Sequence, residues 1–239
     1  MMTIAKESTI QRVRWLLAEL LVIVLGILIA FQVDEWQTDR NNRISERESL
    51  TSINQDLKIE LRELEGLTQT LHFNRQIWLR MMTLLRDNHN PSEHDIISTL
   101  ERYRGRPLEP TNSAFTSLIE SGRLNLVSDG DLRLKLVDFY QVKQRRLHFV
   151  IEQHRDSRDE YIEILLMDID FKIDPEYETN LDYARELIIP PEKFPSHPSL
   201  QRVLVDLDQS YLNLIRRIDE TIAQMEELKT MIELHIDAI

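Results

Sequence analysis

The sequence predicts an all-α protein: one N-terminal transmembrane helix that continues into an elongated antiparallel helical bundle of about three long helices with coiled-coil-like seams. Three observations carry this. The stretch Trp15 to Val33 is apolar except for Glu19 and Gln32, and Leu20 to Phe31 is apolar without a break. Glycine and proline are scarce, with 5 and 8 in 239 residues, and the prolines gather between Pro91 and Pro110 and between Pro175 and Pro198. The long intervals between these breaks place apolar residues seven apart, the signature of a helix with one buried seam.

The apolar stretch comes first. A bilayer core of about 30 Å needs roughly 20 helical residues, which Trp15 to Val33 supplies. Trp15 and Trp36 bracket it as interfacial anchors. A soluble core helix would show a polar face, which Leu20 to Phe31 lacks. A cleaved signal peptide would end in a small-residue cleavage site, whereas this run passes into Phe31-Gln32-Val33-Asp34-Glu35 with a lone Ala30. The reading is an uncleaved anchor over 15–33, with 1–14 as a short N-terminal tail and 34–239 as the helical bundle domain. Lys6, Arg12 and Arg14 precede the anchor, and Arg40, Arg43 and Arg47 follow it. Arg12 and Arg14 are the closer set and Asp34-Glu35 lie at the other end. That bias puts the N-terminus in the cytoplasm and the bundle outside. Glu19 is about one turn inside Trp15, within snorkelling reach of the headgroups, or it hydrogen-bonds to a partner helix. Gly26 and Ala30 form a small-xxx-small pair that lets two helices approach closely.

Behind the anchor, the first long helix is expected over 34–86, continuous with the membrane helix. Its seam is Leu50, Leu57, Leu64, Leu71, Trp78 and Leu85, filled in by Ile53, Leu61, Leu67 and Met81. Asp87 to Pro91 ends it. Ser92 with Asp95 reads as a helix start, and a short helix follows to about Arg104. Asn112 or Thr111 caps another short helix to Ser121, with Gly122 as its C′ residue. Ser128 or Asp129 caps a long helix over 130–168, with Leu132, Leu136, Tyr140, Leu147, Ile151, His154, Tyr161 and Leu165 on one face. His154 on that face reads as packed and hydrogen-bonded. Phe171 to Pro198 is irregular, with two helical turns allowed over Asn180 to Leu187. The last helix, 199–239, has the clearest repeat: Leu204, Tyr211, Ile218, Met225, Ile232 and Ile239. No strand is needed. An up-down-up arrangement follows, with the short helices between Ser92 and Ser121 at the distal end and the proline-rich section near the membrane.

Two patches carry a resemblance. The run AELLVIVLGILIAFQVDEW, followed by a charged helix, and the stretch FTSLIESGRLNLVSDGDLRLKLVDFY from Phe115 to Tyr140 together resemble an uncharacterised bacterial family of single-pass membrane proteins. Its members open with a GILIA-x-Q-V-x-x-W type helix and carry a helical domain behind it. Asp34-Glu35 stands where the family pattern has Asn. The two patches cover under a quarter of the chain. The resemblance implies the architecture and a bacterial inner membrane, and it supplies no activity.

Composition narrows the function. The net charge is −12, against a general nucleic-acid or anionic-lipid surface. There is no cysteine, which excludes thiol catalysis, disulfides and Cys-type zinc sites. None of the seven histidines has a Glu three residues before it, and no two are four apart. The di-iron and HExxH patterns are therefore missing, as are nucleotide-binding loops and a nucleophile elbow. Asn112, Glu120, Ser121 and Asn125, with Asp129 to Asp131, could line a polar corner, or simply cap helices. No catalytic, metal or cofactor residue is expected. The expectation is a non-enzymatic, membrane-anchored interaction or assembly module, acting as a homo-oligomer or with another membrane protein. The alternative is a sensor-like ligand-binding bundle that relays through a partner.

Overall fold

The computed structural model describes residues 4–87, 89, 91, 92, 95, 98, 99, 112–167, 170–172, 186–188 and 198–239. Helix α1 spans Ile4–Arg86, 83 residues without a joint, so the apolar stretch and the first bundle helix are one rod of roughly 125 Å. Nothing between Ala30 and Leu64 breaks it, because that interval holds neither proline nor glycine. The other elements are α2 (Ser113–Glu120), a 3-10 turn (Arg123–Leu126), α3 (Gly130–Asp138), a π turn (Phe139–Lys143), α4 (Gln144–Met167), β1 (Asp170–Lys172), β2 (Glu186–Ile188) and α5 (Pro198–Ala238).

The seam residues Leu50, Ile53, Leu57, Leu61, Leu64, Leu71, Trp78, Met81 and Leu85 of α1 are buried, and Leu67 is partly so. On α5, Leu204, Leu207, Tyr211, Leu214, Ile218, Met225, Leu228 and Ile232 are buried against them. The three long elements meet at Trp78. Its ring lies edge-on to Tyr161 of α4 at 4.5 Å, and its Nε1–H donates to the Tyr211 hydroxyl of α5 at 2.6 Å.

The seam of α3 and α4 explains the π turn. Leu132, Leu136, Tyr140 and Gln144 are buried at intervals of four, and Leu147, His154 and Tyr161 follow at intervals of three and then seven. Steps of four drift about 40° each around an α-helix. The wider π turn absorbs a residue and returns the stripe to the core.

The helix order is up-up-down rather than up-down-up. Partners on α1 and the α3–α4 strip stay a near-constant distance apart in sequence: Glu46 with Ser128, 82 residues, and Glu60 with Gln144, 84 residues. The Trp78–Tyr161 contact continues that register, so these helices run parallel. The α1–α5 separations fall from 179 residues at Asn54–Glu233 to 133 at Arg75–Asp208, so α5 is antiparallel to both. Residues 87–129 therefore carry the chain back to the apolar end of the bundle. There α2 packs on α1, its first turn held by Asp56. Of the segment expected at the distal end, the described residue Asp95 lies there, tied to Arg80, whereas α2 does not. The section after α4, expected near the membrane, connects α4 to α5 at the far end instead. The C-terminus of α5 returns beside Glu46.

That far-end section contains two three-residue strands, β1 and β2, paired antiparallel with Phe171 opposite Leu187. Glu186 and Leu187 are thus extended, not helical as expected. β-Branched Ile188 favours that backbone. Asn180 to Arg185 and the Gly105 to Pro110 break lie outside the described residues; of the short helix expected to Arg104, the described residues Asp95, Ser98 and Thr99 are helical. Proline stands at the first position of α5, where its missing N–H costs nothing.

Candidate functional site

Every residue from Trp15 to Asn41 is exposed, including all the large apolar ones. Trp15 and Trp36 stand 67% and 62% exposed, and the Arg40 guanidinium sits 5.6 Å over the Trp36 ring, a cation–π contact. Glu19 is exposed. A Cβ placed on Gly26 would meet nothing within 4 Å. Ala30 follows one turn later on the same face. Among the described residues, no other element covers this part of α1.

The polar corner is arranged differently from the pattern that suggested it. Asn112, Glu120, Ser121 and Asn125 are all exposed, and no hydrogen bond joins any two of them. Asn112 holds the N-cap position of α2 but its side chain makes no cap bond. Asp56 of α1 does this instead, accepting from the Ala114 N–H at 2.9 Å and from the Ser113 hydroxyl at 3.2 Å. The Ser121 hydroxyl donates back to the Ser117 carbonyl at 2.7 Å and accepts from Arg123 Nε at 2.9 Å. Gly122 takes φ +67°, the left-handed C′ conformation that glycine adopts without strain. Asp129 is the cap of α3, its Oδ1 accepting from the N–H groups of Asp131 and Leu132.

Beside this corner lies a constellation with no local sequence signal. Glu46 is 2% exposed. Its Oε1 accepts from the Ser128 N–H at 2.6 Å and the Ser128 hydroxyl at 2.9 Å, and stands 2.8 Å from His235 Nε2. His235 Nε2 is 3.3 Å from the Ser128 hydroxyl, and its Nδ1 is 4.0 Å from Asp129 Oδ2. Serine, imidazole and carboxylate are the residue types of a nucleophile relay. In the tautomer that donates Nε2–H to Glu46, the relay is blocked. With Nε2–H donating to Glu46, that nitrogen has no lone pair for the serine proton, and the serine O–H already points to the same carboxylate. The arrangement fastens α1, the corner and the end of α5 together where the bundle begins.

Two further buried groups titrate abnormally. Burial pushes the Glu60 carboxyl up to about 7; Gln144 opposes the rise and the nearby charges of Glu63 and Asp56 add to it. Burial pushes His154 down to about 4, helped by the Arg158 charge and opposed by Asp159. The His154 ring packs edge-on to Tyr211 and its Nδ1 lies 2.9 Å from the Ser210 hydroxyl. A cavity of about 150 Å³ opens between α3 and α5, lined by Lys135, Asp138, Phe139, Lys143, Gln224, Glu227 and Leu228. The Lys135–Glu227 ion pair at 2.8 Å contributes to its wall. Among the described residues, no group of three or more His, Asp or Glu side chains is placed to hold a metal ion.

No family model, no curated protein and no solved structure matches the chain.

Proposed function

We propose that this chain is a single-pass membrane protein whose helical bundle works by contact with other proteins, as an assembly or interaction module of a bacterial inner membrane, without catalysis of its own. The observation that carries the reading is the bare stretch of α1. Among the described residues, one helix is long and apolar enough to cross a membrane, and none of its apolar part is buried. Apolar surface of that extent in water would be an aggregation site; in lipid it is an anchor. The resemblance to the single-pass family agrees with this.

The bundle's seams are filled by the chain's own helices, so they supply no surplus for a partner. Contacts with a second copy or another membrane protein fall instead to the bare helix, around Glu19, Gly26 and Ala30, and to the bundle's exterior. The charge bias places the N-terminus in the cytoplasm and the bundle outside. The cavity between α3 and α5, among the described residues, is below the roughly 300 Å³ at which small-molecule pockets begin and so lends the ligand-binding alternative no support.

The test is cross-linking with a membrane-impermeant amine reagent on cells whose outer envelope has been opened, read by mass spectrometry. Lys58, Lys135 and Lys229 are expected to react, and linked peptides to identify a second copy or a distinct membrane protein. Reaction only with a permeable reagent would reverse the orientation. A protein that links to nothing and purifies as a monomer would sink the assembly reading.

A further inference from the structure

Glu60 is 1% exposed and faces the π turn. A buried carboxylate is ordinarily matched by a cation or by several donors. Among the described residues, the surroundings of Glu60 offer one amide: Gln144 Nε2, at 3.1 Å from each oxygen. The charged groups acting on it, among the described residues, are acidic, Asp56 and Glu63 on its own helix. From the π turn comes Tyr140, whose buried hydroxyl has no hydrogen-bond partner among the described residues and which is itself pushed up by burial and by the charges of Glu60 and Asp56. This environment suits a neutral carboxylic acid, and the raised value of about 7 agrees.

The same neighbourhood holds α2 in place. Asp56, one turn before Glu60, caps the first turn of α2 through Ala114 and Ser113. Phe115 of α2 stacks on Tyr140 at 4.3 Å, nearly parallel. A charge on Glu60 would therefore be felt at the attachment of α2, because it repels the Asp56 carboxylate that caps that helix.

We propose that Glu60 is a proton-operated latch for the corner formed by α2 and the π turn: protonated, it lets the corner pack on α1, and loss of its proton to solvent loosens that packing. The size of the effect follows from linkage. An opening that exposes Glu60 returns it to its ordinary value of 4.5 from about 7. Such an opening is about tenfold more favourable at about pH 8 than at about pH 6. It acts on the corner and not on the centre of α5, where Ile218, Met225 and Ile232 are fully buried.

The experiment is hydrogen exchange by mass spectrometry on the full chain in bilayer discs, at those two pH values, with rates corrected for the intrinsic pH dependence of exchange. Peptides covering 113–120 and 139–144 are expected to exchange about tenfold faster at the higher pH, while peptides from 218–232 stay constant. Glu60→Gln, which mimics the protonated acid, is expected to remove the difference. No pH response in the unaltered chain, or the same response in Glu60→Gln, overturns the proposal. Should Glu60→Gln fail to fold, Glu63→Gln decides: removing a neighbouring negative charge must move the transition to lower pH, and an unmoved transition overturns the latch.

Discussion

Residues 15–41 and residues 46–85 lie on one helix with unbroken geometry, yet one stretch is bare all round and the other is covered along a single seam. The covered stretch has the alternation a bundle needs: Leu50, Leu57, Leu64 and Leu71 turn inward, while charged residues such as Lys58 and Arg62 face water. The bare stretch has no such division, since Leu20 to Phe31 is apolar on every side. Water tolerates the first arrangement and lipid the second. The same backbone thus serves two solvents, and only the side-chain pattern marks where one ends. The mark falls between Asn41 and Glu46, where the first buried carboxylate meets Ser128 and His235.

The sharpest way to break this contrast is to truncate one tryptophan in each stretch. Trp78→Ala removes the side chain on which all three long helices converge and is expected to cost about 3–5 kcal/mol in chemical unfolding. Trp36→Ala is expected to change bundle stability by no more than about 0.5 kcal/mol. Comparable losses from both would mean that the bare stretch is part of the folded core.

The next effect concerns pH and tests how the bundle around the covered stretch balances its buried groups, Glu60 on α1 and His154 on α4. His154 has its value lowered in the fold, to about 4 from 6.5. Its contribution is therefore complete above pH 6.5 and is lost as pH falls towards 4. Glu60 has its value raised, to about 7 from 4.5, so its contribution is complete below pH 4.5 and is lost as pH rises towards 7. Each amounts to about 3 kcal/mol, with opposite slopes that cancel where the windows overlap. His154→Gln should give a bundle that loses stability as pH rises from 4.5 to 7, and Glu60→Gln one that loses stability as pH falls from 6.5 to 4. Denaturant midpoints across that range check both; parallel profiles for the two variants would contradict the assignment.

Smaller effects are expected at the boundary. Glu46→Ala strands the Ser128 N–H and the His235 ring, at about 2 kcal/mol. Asp129→Ala removes the cap of α3, at about 1 kcal/mol. Asn112→Ala, at a cap position where the side chain makes no cap bond, should be close to neutral, and Asp56→Ala should cost what Asn112 does not. Urea unfolding of the four variants gives the order, and a cost for Asn112→Ala equal to that of Asp56→Ala would contradict the cross-helix cap.

Much of this was legible in the sequence because it is periodic. The heptad residues of α1 and α5 are a local pattern, and burial follows it from Leu50 to Leu85 and from Leu204 to Ile232. Gly122 and Asp129 were legible because a helix end has a small chemistry of its own. Helix direction was not, since periodicity is the same read up or down. The signal lay in length: residues 87–129 far exceed the few residues that join antiparallel neighbours, enough to return along a helix. The Glu46–Ser128–His235 clamp was invisible for a related reason. Its members lie 82 and 107 residues apart in sequence and meet only once α1 and α3 run parallel and α5 returns. The π turn was hinted at by burial steps of four over Leu132, Leu136 and Tyr140, a drift no straight α-helix sustains.

The most direct test of the account uses the three tryptophans as depth markers. Single-tryptophan versions of the full chain, retaining Trp15, Trp36 or Trp78 with Phe at the other two positions, would be placed in bilayers whose acyl chains carry bromine, a contact quencher. Trp15 and Trp36 should be quenched and Trp78 should not, since it stands roughly 65 Å beyond Val33 along α1. Quenching of none of them, or of Trp78 as strongly as the others, would contradict the division of α1 into a lipid stretch and a bundle stretch.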